Sequence, residues 1–75
     1  MQLDRLIHMA NQIGSFFASQ PRAEVAEAVA THLRKFWDPR MRSAICAHFD
    51  DGGSGLDPLV RDAVALIATE RTKTG

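Results

Sequence analysis

Three prolines fix most of what this chain can become. Pro21, Pro39 and Pro58 have no N–H to donate, and each biases the residue before it away from the α region. None can sit inside a helix without breaking it, yet each suits the first turn of one. Two of them follow aspartate, as Asp38-Pro39 and Asp57-Pro58. An aspartate so placed can accept from the unpaired N–H groups of the first turn, so Asp38 and Asp57 are the expected structural caps. Ser19 or Gln20 is the expected cap ahead of Pro21. The prolines divide the chain into four segments.

Each segment carries helical periodicity. Leu3, Leu6, Ile7, Ala10, Ile13 and Phe17 recur at three- and four-residue spacing, which predicts a helix over 3–18. Gly14 interrupts it, at about 1 kcal/mol against alanine, and reads as a close helix–helix approach or as a surface cleared for a partner. Phe16 and Phe17 point about 100° apart on a helix, so one can enter the core while the other stays at its edge or in an interface. Val25, Val29, Leu33 and Phe36 form the stripe of a second helix over 21–37, with Glu24 and Glu27 early and Arg34 and Lys35 late, as the helix dipole prefers. Met41, Ile45 and Phe49 predict a third over 39–49, and Leu59, Val60, Ala63, Val64 and Ile67 a fourth over 57–69. A polar, flexible tail is expected from about residue 70. Nothing alternates at period two over a useful length, so no sheet is expected. The fold class is all-α, a small bundle of about four short helices in one domain over 1–75.

A chain of 75 residues buries only about 60% of the surface its unfolded form exposes. One cysteine, Cys46, allows no internal disulfide, and its apolar setting reads as a small buried or half-buried hydrophobe before it reads as a reactive thiol. This cysteine usage fits a reducing cytoplasm. Charges inside Leu3–Ala18 exclude a signal-peptide reading, and no stretch reaches the roughly 20 apolar residues of a membrane span. The net charge is zero, although residues 1–42 carry six Lys/Arg against four Asp/Glu and residues 43–75 three against five. That balance disfavours nucleic acid and favours a protein partner. So small a domain, with no staple, is expected to gain stability from something it docks to.

Most candidate sites dissolve on their spacing. Gly52, Gly53 and Gly55 lie in a glycine-rich stretch without the lysine of a P-loop, without a preceding strand, and with Asp50 and Asp51 placed to repel an anion. The stretch reads as a flexible connector, and it lacks the spacing and terminal glutamate of a calcium loop. His8, His32 and His48 are 24 and 16 residues apart, with no metal-ligand signature. Ser15, Ser19, Ser43 and Ser54 have no context resembling an activated hydroxyl. No catalytic residue and no metal ligand is assigned, and activity as an enzyme on its own is not expected.

The stretch around Pro39 is different. Arg34, Lys35, Arg40 and Arg42 fall within nine residues, opposed only by Asp38, and the one tryptophan, Trp37, sits among them beside Phe36. Trp and Arg are the residue types most enriched at interface hot spots. One reading is a docking patch for an acidic protein surface, with Phe36 or Trp37 as apolar anchor. A second is a site for an anion such as a nucleotide. In a third the corner is structural: Trp37 closes the core and the arginines pair with Glu24, Glu27 or Asp62.

Three stretches carry a resemblance: Met-Ala-Asn-Gln-Ile-Gly-Ser-Phe-Phe from Met9 to Phe17, Ala-Thr-His-Leu-Arg-Lys-Phe-Trp-Asp-Pro-Arg-Met-Arg from Ala30 to Arg42, and Gly-Leu-Asp-Pro-Leu-Val from Gly55 to Val60. Together they resemble the delta subunit of the soluble, molybdenum-containing, NAD-dependent formate dehydrogenases of bacteria, over most of the chain from Leu6 to about Leu66. The middle block is the specific one. The resemblance implies a small cytoplasmic accessory chain with no redox centre of its own. It would associate with, or help assemble, mature or stabilise, an enzyme whose large subunit holds a bis-molybdopterin guanine dinucleotide molybdenum site and iron–sulfur clusters, other subunits carrying flavin and meeting NAD. The family motif is not a catalytic one. The expected partner contacts are Asn11, Phe16, Phe36, Trp37, Arg40, Met41 and Arg42, the partners being the large catalytic and other subunits, with no nucleic acid and no membrane. The isolated chain could self-associate. The alternative is a small module for a guanine nucleotide or the molybdopterin dinucleotide, acting in cofactor delivery.

Overall fold

The prolines do set the helix starts. A computed structural model of the chain describes the backbone of residues 2–74 and the side chains of residues 2–70. It has four helices, α1 (Leu3–Phe16), α2 (Arg22–Phe36), α3 (Pro39–Asp50) and α4 (Pro58–Thr74), and no strand among the described residues. This is the small all-α bundle that the periodicity implies. No helix among the described residues is long and apolar enough to cross a membrane. The flexible tail expected from about residue 70 falls mainly on positions whose side chains lie outside the described residues, while the backbone of α4 is helical to Thr74.

Capping follows the Asp-Pro logic with two differences. The Asp38 carboxylate accepts from the Met41 N–H at 2.9 Å, with Pro39 opening α3. At the start of α4 the Asp57 carbonyl accepts from the Arg61 N–H at 2.8 Å, while its own N–H donates to Asn11 Oδ1 at 3.0 Å. Among the described residues the Asp57 carboxylate makes no capping bond, so this cap works through the backbone. Neither Ser19 nor Gln20 caps α2. Pro21 itself stands at the N-cap with φ −54° and ψ 145°, and its carbonyl accepts from the N–H groups of Glu24 and Val25. An extended proline already aims its carbonyl along the helix and has no N–H left to satisfy.

The core is one cluster. α2 and α4 share the most extensive interface. Val25, Val29, Ala30 and Leu33 of α2 are buried together with Val60, Ala63, Val64 and Ile67 of α4. α1 adds Leu6 and Ala10, and α3 adds Ile45 and Cys46. Two ion pairs tie α2 to α4 near its two ends: Arg22 Nε to Asp62 Oδ2 at 2.8 Å, and Arg34 to both carboxylate oxygens of Glu70 at 3.0 and 2.6 Å. Asp62 raises the Arg22 pKa above its ordinary value, by hydrogen bonding first and charge second. The pair is largely exposed, so it fixes geometry more than it stabilises.

Gly14 is buried where α1 crosses α4. A β-carbon there would lie 2.6 Å from Val60 Cγ2, inside any real contact distance. Val60 is fully buried and β-branched, so it has no free rotamer to move into. The close-approach reading of Gly14 is therefore the structural one. We expect Gly14→Ala to lower stability by up to about 2 kcal/mol, because the overpacking of about 1–3 kcal/mol outweighs the gain of about 1 kcal/mol in helix propensity. Urea denaturation monitored by circular dichroism measures it, and a stabilised Gly14→Ala variant would refute the packing.

Candidate functional site

The corner between α2 and α3 sends adjacent aromatics in opposite directions. α2 ends at Phe36, and Trp37 leaves the helix with φ −88° and ψ 136°. Its ring enters the core and is only 4% exposed. Phe36 belongs to the predicted stripe of α2, yet it is 71% exposed. It sits about 60° round the helix from Leu33, and Trp37 is in the core cluster instead. Its ring packs on His32 one turn earlier, with centroids 4.7 Å apart and planes tilted by 39°.

Phe36 finds a second exposed aromatic across a groove. Phe16, at the end of α1, is 82% exposed, while its neighbour Phe17 packs against the core. Met9, Gln12, Ile13 and Phe16 of α1 form one wall of this groove, His32 and Phe36 of α2 the other, and Trp37 and Met41 also line it. Its volume is about 310 Å³. Four of the expected contact residues, Phe16, Phe36, Trp37 and Met41, are thus brought together. Phe16 and Phe36 are two of the three exposed large apolar side chains among the described residues, and both line this groove.

The remaining three are placed otherwise. Asn11 is committed internally: its Nδ2 donates to the Gly55 carbonyl at 2.9 Å and its Oδ1 accepts from the Asp57 N–H at 3.0 Å. Both ends of the amide are used to fasten the α3–α4 loop to α1, which explains its position better than a partner contact does. Arg40 is exposed beside the groove without lining it. Arg42 is half-buried, with its Nε enclosed. The expected internal arginine pairs with Glu24 or Glu27 are absent among the described residues. The pairs that form are Arg22–Asp62 and Arg34–Glu70.

The α3–α4 loop is a built turn. Gly52 N–H donates to Phe49 O at 3.1 Å and Gly53 N–H to His48 O at 2.9 Å, the Schellman pattern that closes a helix. That pattern needs Gly52 at φ 118°, which suits glycine. The His48 Nε2–H donates to the Ser54 carbonyl at 2.6 Å, and Leu56 is buried beneath. The loop is latched to α1 and α3 at named atoms, where composition alone suggests a flexible connector.

The site offers little to a phosphate. Arg34 is neutralised by Glu70. The N-terminus of α3, an anion-binding position in principle, already holds the Asp38 carboxylate. Among the described residues no group of three or more His, Cys, Asp or Glu is placed to hold a metal ion. What the site presents is an apolar groove with aromatic rims and basic neighbours.

Residues 5–64 match the model of the family described as NADH-dependent formate dehydrogenase delta subunit FdsD. The chain belongs to this delta-subunit family. No curated protein and no solved structure gave a significant match. The matched region covers α1 from Arg5, all of α2 and α3 and the first turns of α4, and so contains the residues from Met9 to Met41 that line this groove. As a formate dehydrogenase delta subunit, the chain associates with other subunits of that complex.

The internal role of Asn11 separates stability from association. We expect Asn11→Ala to cost about 1–2 kcal/mol of stability, since it removes two loop bonds. Binding to the other formate dehydrogenase subunits should change less than threefold at temperatures where the variant is folded. Thermal denaturation and a titration against the remaining subunits test both halves. A variant of unchanged stability that binds tenfold more weakly would return Asn11 to the contact surface.

Proposed function

We propose that this delta subunit is a non-catalytic accessory chain that docks on the large catalytic subunit of formate dehydrogenase and helps assemble or stabilise it. The observation that carries this reading is the pair of exposed phenylalanines, Phe16 and Phe36, facing one groove with the methionines Met9 and Met41. A chain of this size has few large apolar residues, and leaving two outside a core is unfavourable unless a partner covers them. Burying one phenylalanine side chain is worth about 1.5–3 kcal/mol. Methionines adapt their shape to what they meet, and aromatic rings lose little freedom on docking.

In this reading the redox chemistry resides elsewhere in the complex. The molybdenum site with its bis-molybdopterin guanine dinucleotide, the iron–sulfur clusters and the flavin belong to partner chains, and the assembly works in the cytoplasm. Support comes from membership of a subunit family and from an exposed surface built for contact rather than for chemistry. Arg40 and Lys35, both exposed, add a basic margin that suits an acidic partner surface.

The test is the double variant Phe16→Ser/Phe36→Ser, produced in the native host together with the other subunits. Both rings are exposed, so the variant should melt within a few degrees of the parent. The amount of delta subunit retained in the purified complex should fall more than tenfold, as the loss of two hot-spot residues at about 2 kcal/mol each requires. The molybdenum content of the complex should fall with it. Full retention of a folded variant would overturn the docking role of this face.

A further inference from the structure

The groove between the phenylalanines does not end at Met9 and Met41. A second depression, lined by Gln2, Arg5, Leu6, Met9 and Met41, opens from the same two methionines. Gln2 at the N-cap of α1 and residues 5, 6, 9, 12, 13 and 16 of the helix line the two depressions, a single stripe along its length. At 1.5 Å per residue that stripe is about 21 Å long. The charges on it are one-sided. Arg5 is the one lining residue with a permanent charge, and no carboxylate lines either depression among the described residues. The depression beside α3 that Leu3, Ala44, Ala47 and His48 help to line carries Asp50 and Asp51 instead.

Resting on the docking role just given, we propose that the occupant of this groove is one amphipathic helix of the partner subunit, lying along α1 with an acidic residue against Arg5. The length carries the first part. About 21 Å accommodates some 14 helical residues, or four turns. A helix also satisfies its own backbone hydrogen bonds and asks only side-chain pockets of its receptor. The walls here are helices that offer no free strand edge, so an extended segment would leave its backbone polar groups unpaired in an apolar groove. The charge carries the second part. The Phe16–Phe36 end takes large apolar anchors. Met9 and Met41 take another about seven residues away along the partner. Arg5, a further turn on, selects a carboxylate and fixes the direction in which the helix lies. The aspartates beside α3 repel that carboxylate and mark the wrong face.

Site-specific photo-cross-linking in the purified complex tests this. Benzoylphenylalanine replaces Phe16 in one preparation and Gln2 in another, with exposed Glu24 on α2 as the control position. Both groove positions should cross-link to one helical segment of one subunit, at sites within about 15 residues of each other. An Asp or Glu should lie at the end reached from position 2. Arg5→Glu, a change at an exposed side chain, should weaken association by roughly three- to tenfold, and charge reversal of that acidic residue should restore it. Cross-links from positions 2 and 16 to separate elements would overturn the proposal, as would cross-links to a second copy of this chain or an inert Arg5→Glu. These outcomes are distinct from failure of the docking role itself, which is read from retention of the Phe16→Ser/Phe36→Ser variant.

Discussion

The bond from the Met41 N–H to the Asp38 carboxylate, at 2.9 Å, organises more of this molecule than its size suggests. It starts α3 where Pro39 forbids α2 to continue. Two extended residues, Trp37 and Asp38, separate the two helices, and the ring of the first enters the core. Phe36, one residue earlier and still helical, faces the other way. The keystone of the core and the rim of the groove are therefore neighbours in sequence, set by one turn. The cap holds Met41 as well, whose side chain lies where the two depressions meet.

The ties in this bundle are unevenly shared. Arg22–Asp62 and Arg34–Glu70 link α2 to α4 on either side of their extensive apolar contact. α1 is held by Gly14 against Val60 and by Asn11 on the loop before α4. Both of those contacts lie toward α4, so the opposite stripe of α1 is left to form the groove. A preformed groove between fastened helices spares a partner the entropy of ordering it, which is where affinity is otherwise lost.

The elements of the fold were legible in the sequence because proline, capping and period-3.6 signals are local. Pro39, Pro58 and the Val25, Val29, Leu33 spacing needed no knowledge of what lay opposite. Pro21 was misplaced by one position because an extended proline can act as the N-cap without any side-chain acceptor. Phe36 joins the stripe of α2 by spacing alone. Only the placement of α4 shows that the stripe's centre passes through Leu33 and Trp37 and leaves Phe36 at its edge. Asn11 was harder still. An amide on a helix face carries no local mark of a carbonyl 44 residues away. The same holds for Arg34, whose partner Glu70 lies 36 residues on. The basic corner thus looked more strongly charged in the sequence than it is in space.

That neutralisation bears on how the surface can work. With Arg34 paired to Glu70 and the N-terminus of α3 filled by Asp38, the corner keeps too little concentrated charge to bind through electrostatics alone. Arg5, Lys35 and Arg40 are exposed, and each such exposed charge contact is worth under about 1 kcal/mol. In the proposed docking mode affinity comes from the apolar floor and the two phenylalanines, while the cations set orientation. Charge at the margin and burial at the centre is the division found at stable protein interfaces.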